Sequence, residues 1–390
     1  MVQMNRRSFL KNLLSASPAL ALGPTLLQYS TPAHAGLFNQ NLMDLGLLNE
    51  PDKNGIRLPA GFISNVIAIS GEKVGTTDYE WHKSPDGGAC FPTNEGGWIY
   101  VSNCEEWSPF CGGASAVEFN ASGEIVEARK ILSGTRFNCA GGATPWHTWL
   151  SCEEADRGSV YETDPYGKKE AVELPALGYF QHEAVAIDPE RQVLYLTEDE
   201  SDGCFYRFLP TNPLPDLSAG ELQVAIVNNG LVSWKTLPDP TPAIWQTRTR
   251  NQVPEATKFR GGEGIWFEND HVFFTTKLDH RVWVLNVKSQ ELGILYDGKL
   301  GSDTTLRGVD NITSNNDGNL LIAEDGGDMQ LVVLSPDGEA KPFLQIVDQD
   351  ESEITGPAFS PDGSRLYFSS QRGHDEDSRL GITYEIRALV

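Results

Sequence analysis

The chain has 390 residues, enough to bury one large domain or two smaller ones. Asp plus Glu number 54 against 30 Lys plus Arg, a formal charge of −24 that repels a phosphate backbone and excludes nucleic acid as a partner. Such an excess either coats a solvated surface or gathers carboxylates around bound cations, and the two are compatible.

The first 35 residues read as an export signal. Arg6-Arg7-Ser8-Phe9-Leu10-Lys11 precedes a mildly apolar stretch broken by Pro and Gly, and Ala33-His34-Ala35 forms a cleavage pattern. The charged string matches the twin-arginine signal everywhere except Asn5, where Ser or Thr is usual; an ordinary secretory signal is the alternative. The apolar run is too short and interrupted to span a membrane. The expectation is therefore passage through the twin-arginine export machinery to the periplasm or beyond, with no membrane span after cleavage. Removing residues 1–35 leaves a mature chain, 36–390, at −27. Six cysteines remain in it: Cys90, Cys104, Cys111, Cys139, Cys152 and Cys204. In an exported protein the default expectation is disulfides, with Cys104 and Cys111 close enough for a small loop and Cys90 a competing partner.

Beyond the signal, long helical periodicity is missing. Short β-rich runs alternate with turn signals such as Asn316-Asp317-Gly318, Ser335-Pro336-Asp337-Gly338 and Ser360-Pro361-Asp362-Gly363. Six runs align, starting near Trp98, Thr148, Val193, Val272, Leu320 and Leu366, at intervals of 50, 45, 79, 48 and 46 residues. That period suits one four-stranded blade per repeat and predicts an all-β fold, a single six-bladed β-propeller. The long interval holds one insertion of roughly 30 residues, placed in the Pro-rich stretch 210–254. A β-sandwich is the structural rival, but it requires no such even spacing.

Acidic residues follow the aligned strands in a repeated register: Glu105-Glu106, Glu153-Glu154, Glu198-Asp199-Glu200 and Glu324-Asp325, with Lys277 and Asp279, then Gln371 and Arg372, in the departing fourth and sixth repeats. A second set lies 14 or 15 residues earlier: Cys139 before Glu153, Glu183 before Glu198, Glu263 before Lys277 and Asp310 before Glu324. In a propeller the equivalent ends of the inner strands face one axis, so two rings would meet at one mouth of the channel. Carboxylates crowded there repel one another unless cations neutralise them, and a multi-metal site accounts for the pattern.

Hard oxygen ligands suit calcium, magnesium or ferric iron, whereas the histidines, among them His147 and His182, show no zinc spacing. Cys139 is the soft outlier: spacing alone allows either a disulfide with Cys152 or a transition metal. Such a cluster can polarise a phosphoryl oxygen and supply a nucleophile at mild pH, and an anionic ester would also need a cationic group to hold it. Arg260, Lys277, Arg307 and Arg372 lie near ring positions, where a cation can instead simply pair with the acidic rings.

At these residues the sequence resembles the PhoX alkaline phosphatase family. The resemblance rests on Asn138-Cys139-Ala140-Gly141-Gly142, Thr144-Pro145-Trp146 and Cys152-Glu153-Glu154. It extends to Asn103 with Glu105, His182-Glu183-Ala184, Glu263-Gly264, Asp310-Asn311, and Gly356-Pro357 through Pro361-Asp362-Gly363. The resemblance implies a propeller carrying an iron and calcium cluster and hydrolysing phosphomonoesters. It further implies Cys139 as an iron ligand and Glu183 and Glu263 as cluster carboxylates, joined by Glu105, Glu153, Asp310 and Glu324. Arg260, Lys277 and Arg372 are the candidates to hold the phosphate. The chain departs where the family carries Arg-Pro-Glu-Gly and Gln-His-Pro-Gly; here stand Arg260-Gly261-Gly262-Glu263-Gly264 and Gln371-Arg372-Gly373. It is also shorter than the large members.

The expectation is an exported, monomeric, metal-dependent hydrolase of a small phosphorylated substrate. The alternatives are a calcium-bearing propeller enzyme of another class, such as a lactonase or a quinoprotein-like oxidoreductase, and a non-catalytic binding propeller that keeps metals for stability.

Overall fold

The structure, a computed structural model, describes residue 38 and residues 40–389, apart from 109, 300–304, 316–317 and 375–379. The expected export signal at 1–35 lies outside the described residues. Two strands, β1 (Ile56–Arg57) and β2 (Phe62–Ile69), precede six sheets. Blade 1 is β3 (Pro85–Pro92), β4 (Trp98–Cys104), β5 (Gly112–Phe119) and β6 (Ile125–Thr135). Blade 2 is β7 (Asn138–Ala143), β8 (Trp149–Glu153), β9 (Val160–Thr163) and β10 (Val172–Glu173). Blade 3 has five strands: β11 (His182–Asp188), β12 (Val193–Glu198), β13 (Phe205–Pro210), β14 (Gly220–Asn228) and β15 (Leu231–Thr236).

Blade 4 is β16 (Gly262–Glu268), β17 (His271–Thr276), β18 (Arg281–Asn286) and β19 (Leu292–Asp297). Blade 5 is β20 (Val309–Ser314), β21 (Leu320–Glu324), β22 (Gln330–Leu334) and β23 (Ala340–Ile346), with β1 added at its outer edge. Blade 6 combines β24 (Ile354–Phe359), β25 (Arg365–Ser370) and β26 (Ile382–Ala388) with β2 from the N-terminal side. The β2–β26 pairing joins the two ends of the chain in one sheet and closes the ring without a free edge between the first and last blades.

The expected six-bladed propeller is what forms. The predicted repeat starts fall at or next to the start of the second strand of each blade, and the inner strands pack side by side around one axis, β24 meeting β3. The second strands are apolar runs because neighbouring blades cover both their faces: β4, β12 and β21 are buried along their whole length. Aromatic pairs knit adjacent blades, Tyr100 on Tyr367 with centroids 5.1 Å apart and Phe205 on Phe274 at 4.4 Å.

The long interval resolves differently from a loop inserted wholesale. Within 210–254, β14 is blade 3's regular fourth strand; the excess is β15 and the return over residues 237–261. Arg250, on a short 3-10 helix in that return (Thr249–Asn251), is buried and binds Glu198 at 2.9 Å, Glu200 at 2.7 Å and Asp202 at 3.0 Å. The extra segment is thus anchored by one cation shared among three carboxylates. No helix of the described residues is long and apolar enough to cross a membrane.

Candidate metal centre

Every inner strand carries a register break at its start, between Pro85 and Gly88, Asn138 and Gly141, His182 and Val185, Gly262 and Ile265, Val309 and Ile312, and Thr355 and Ala358. A bulge inserts one unpaired residue, bends the strand and re-aims a side chain. In the first five blades the second residue of the inner strand sits in this break: Asp86, Cys139, Glu183, Glu263 and Asp310; in blade 6 Thr355 still pairs with Ser369 and only borders it. The next residue in each strand is small (Gly87, Ala140, Ala184, Gly264, Asn311, Gly356), because the inner strands converge there. A Cβ on Gly87 would lie 2.4 Å from the Ala140 Cα, and one on Gly264 2.6 Å from the Ile312 N. Below this ring the axial cavity, lined by these small residues, is about 50 Å³, far smaller than a substrate pocket, so the mouth is the side with room for substrate.

The upper ring comes from the residue just past the second-strand position that faces each break. Those facing positions are Cys104, Glu153, Glu198, Thr276 and Glu324, and in blade 6, where the break lies one residue later, Ser369. One residue further in the first five blades stand Glu105, Glu154, Asp199, Lys277 and Asp325, and Gln371 follows β25 in blade 6. Ligand atoms from the two rings, joined by Glu353 just before β24, fall into four groups whose members lie within 4.8 Å of one another: Asp86, Glu105 and Cys139; Cys139, Glu154 and Glu183; Glu183, Glu263 and Asp310; and Asp310, Asp325 and Glu353. Shared members chain the groups around the axis, and each group spans at least two blades.

Of the sequence-derived ligands, Glu105, Cys139, Glu183, Glu263 and Asp310 are brought together. Glu153 and Glu324 are not. The Glu153 carboxylate accepts the Arg136 and Ser159 backbone N–H groups at 2.9 and 3.0 Å, and that of Glu324 accepts those of Arg307 and Gln330 at 2.8 and 3.2 Å. Glu198 serves blade 3 likewise, accepting from the Cys204 N–H and the Tyr206 hydroxyl. In blades 2, 3 and 5 the first acid satisfies its own blade's turn and the second stands in the upper ring, whereas in blade 1 the first acid, Glu105, is the ring residue. Aligning Cys104-Glu105 with Cys152-Glu153 slips the register by one residue, because Gly88 pairs with Ser102 whereas Gly141 pairs with Ser151.

Asp86, Glu154, Asp199, Asp325 and Glu353 complete the rings. Asp86 hides in Ser84-Pro85-Asp86-Gly87, the same quartet that makes turns at 335–338 and 360–363; here it opens a strand. Glu353 ends the acidic run 350–353, which looks like a solvated loop, yet it is buried.

The expectation of disulfides is not met: all six cysteines are free, each of them among the described residues. Cys152 is buried among Leu150, Val160 and Leu177, in the core between blades, while the Cys139 Sγ lies 3.4 Å from the Glu183 Oε1. His147 occupies the β7–β8 turn, at the other end of blade 2 from the mouth, and His182 is buried with its Nε2 2.9 Å from the Gly178 carbonyl.

Electrostatics oppose a charged cluster without cations. Burial, reinforced by neighbouring carboxylates, raises Glu105, Glu183 and Glu353 well above the usual carboxylate range, and Glu263 and Asp310 rise likewise despite Lys277. Asp86 is pushed up to about 6 by burial and Glu154 to about 7 by burial and Asp199. Burial and the charges of Asp86 and Glu183 hold the Cys139 thiol well above its ordinary value. The Oε2 of Glu183 is buried without a hydrogen-bond partner. A dry ring of carboxylates and one thiol, with an orphaned oxygen aimed among them, fits hard cations together with one softer ion at Cys139.

Four cations were expected near the rings. The Lys277 Nζ lies 2.8 Å from the Glu263 Oε1, 3.1 Å from the Asp199 Oδ2 and 3.9 Å from the Asp325 Oδ2; burial lowers its pKa, but these acids outweigh it and hold the ammonium charged. Arg372 pairs with Glu353 at 2.7 Å. Gln371 donates to Asp86 and Glu105 at 2.5 and 2.7 Å. Arg260 is exposed outside both rings, its carbonyl accepting the Leu278 N–H, and Arg307 is exposed as well.

A family model, "Alkaline phosphatase PhoX", matches residues 111–169, 155–296 and 287–373. No curated protein matches the chain in sequence. Among solved structures, Pseudomonas fluorescens PhoX in complex with vanadate, a transition state analogue, superposes with a TM-score of 0.71 at 17% identity, covering 89% of this chain and 98% of that one. A gluconolactonase from Xanthomonas campestris gives 0.53 at 10% identity, covering 88% and 98%, and a Bacteroides thetaiotaomicron protein of unknown function 0.51 at 11%, covering 84% and 76%. At such identities the structures share the fold alone. The family match runs from blade 1 through blade 6, over the segments that carry Cys139, Glu183, Glu263 and Asp310, and on that evidence the chain belongs to the alkaline phosphatase PhoX family.

Proposed function

We propose that the protein is an exported, metal-dependent phosphomonoesterase whose reaction takes place at the propeller mouth. The observation that carries this reading is the chain of four overlapping ligand groups, Asp86 to Glu353, at the mouth of an axis that narrows below them. A phosphatase bound to vanadate shares the fold, and membership of the PhoX family points to the same class of substrate.

Cys139, with Asp86, Glu105, Glu154 and Glu183, would hold iron, and the carboxylates of Glu263, Asp310, Asp325 and Glu353 would hold calcium. When bound, the cations supply Lewis acidity toward phosphoryl oxygens and a nucleophile at mild pH. The protein's own contribution is fixed placement. The bulges aim ligands at the axis, the narrow cavity below leaves no room for substrate from behind, and the buried carboxylates stay in position without solvent reorganisation. Lys277 and Arg372 stand on the mouth side of the rings and would contact the phosphate, one as a point charge and the other as a planar fork. Gln371 orients Asp86 and Glu105 together. Arg260 has no part in this arrangement. The amino-terminal twin-arginine string supports export of the folded chain after metal loading in the cytoplasm.

The test is elemental analysis of protein purified from its native host, with p-nitrophenyl phosphate turnover followed on the same sample. Iron with calcium, and turnover lost on chelation, are expected. Calcium without iron and no turnover would sink the reading.

A further inference from the structure

The ring residues sit in bulges, and a bulge takes a residue out of the ladder that would otherwise pair its carbonyl. Three of those carbonyls are met from outside the blade. The Asn103 Nδ2, on blade 1, donates to the Cys139 carbonyl of blade 2 at 3.0 Å and to that of Ala140 at 2.8 Å. The Thr197 hydroxyl, on blade 3, donates to the Glu263 carbonyl of blade 4 at 2.6 Å. The Thr275 hydroxyl, on blade 4, donates to the Asp310 carbonyl of blade 5 at 2.6 Å. The three donors are equivalent: each is the residue before the second-strand position that faces its own blade's bulge. All three are fully buried. In the other blades Cys152, Ala323 and Phe368 hold that place, and all three pack in apolar cores.

The donors are themselves held. The Asn103 Oδ1 accepts from the Trp149 Nε1 at 2.9 Å and from the Ser151 hydroxyl at 2.8 Å, so its amide is satisfied at both ends and its orientation is fixed. The Thr197 hydroxyl also accepts the Ala184 N–H at 3.1 Å, which locks its proton toward Glu263. Each strut crosses a blade boundary and ends on a residue that belongs to the candidate ligand groups.

We infer that Asn103, Thr197 and Thr275 are positioning residues for the metal centre, each setting from one blade the backbone of a ligand residue on the next. The inference rests on the metal reading of the rings. It makes cation affinity depend on the docking of neighbouring blades, not only on the ligands themselves. Outer partners of metal ligands are commonly worth about 10- to 100-fold in affinity.

The experiment is calcium titration by calorimetry of full-length protein stripped of metal, comparing wild type with Thr275→Val, Thr275→Ser and Thr383→Val. Thr383 is a buried hydroxyl of blade 6, paired with the Trp81 Nε1 and the Ser369 hydroxyl away from the rings, and reports the cost of a lost buried hydrogen bond alone. Thr275→Val is expected to bind calcium about tenfold more weakly, Thr275→Ser to match wild type, and Thr383→Val to melt earlier with unchanged affinity. Equal affinity in Thr275→Val and wild type would overturn the inference while leaving the metal reading intact, and so would equal weakening in Thr383→Val. A wild-type protein that takes up no calcium would remove both.

Discussion

The thiol of Cys139 on blade 2 lies 3.4 Å from the Glu183 carboxylate on blade 3, and that carboxylate also groups with Glu263 and Asp310. A soft ligand therefore borders a run of hard ones across a blade boundary. Cys139→Ser should abolish iron uptake while calcium remains, since the hydroxyl keeps the shape but not the thiolate chemistry. Cys152→Ala should leave both metals in place and cost about 1–2 kcal/mol of stability through lost core packing. Metal analysis with thermal melts separates the two, and equal iron in Cys139→Ser and wild type would remove Cys139 from the ligand set.

The doublet Glu153-Glu154 offers a sharper internal control. Glu153 accepts two backbone N–H groups of its own blade, and Glu154 belongs to a ligand group with Cys139 and Glu183. Glu153→Gln should lose about 1–3 kcal/mol of stability with unchanged metal stoichiometry, because one buried N–H loses its charged acceptor. Glu154→Gln should lower metal content instead. The reversed result would restore the register in which Glu153 is the ligand.

These neighbours also mark how far the sequence can be read. Blade count and the inner and second strands are legible from period and spacing, and the candidate ligands Glu105, Cys139, Glu183, Glu263 and Asp310 from spacing joined to the family resemblance. Glu153 and Glu324 are misread because a bulge shifts the pairing by a residue, and the side chains of adjacent strand positions face opposite ways. Asp86 is hidden because Ser-Pro-Asp-Gly is turn chemistry in any local window; only packing against blades 2 and 6 makes it an inner strand. Glu353 is hidden because a run of acids reads as solvated surface until the ring closes around it.

The three cations separate by position. Lys277→Met and Arg372→Ala should each lower kcat/KM for p-nitrophenyl phosphate by roughly 10²–10³, the usual loss when one preorganised charge facing the reacting group is removed. Arg260→Ala should change it less than about threefold, since Arg260 is exposed outside the rings. Steady-state kinetics at matched metal content decide the point; a large loss in Arg260→Ala would move the phosphate contact to that loop.

Stability without metal should depend on pH with a definite sign. Folded-state values of about 6 for Asp86 and about 7 for Glu154 and Glu324 stand above the ordinary values of 3.8 and 4.5, all raised by burial. Across this window the folded chain binds more protons than the unfolded one, so stability is highest in mild acid and is lost as pH rises through 6 and 7. Each tenfold gain in proton affinity on folding corresponds to about 1.4 kcal/mol, and each kcal/mol moves the midpoint of a chain this size by about 2 °C, so several degrees should be lost between pH 5 and 8 in chelator. Cations replace those protons, and their affinity must rise over the same range. Melts in calcium should therefore show the slope flattened or reversed, and a chelated protein that gains stability from pH 5 to 8 would contradict the buried, uncompensated ring.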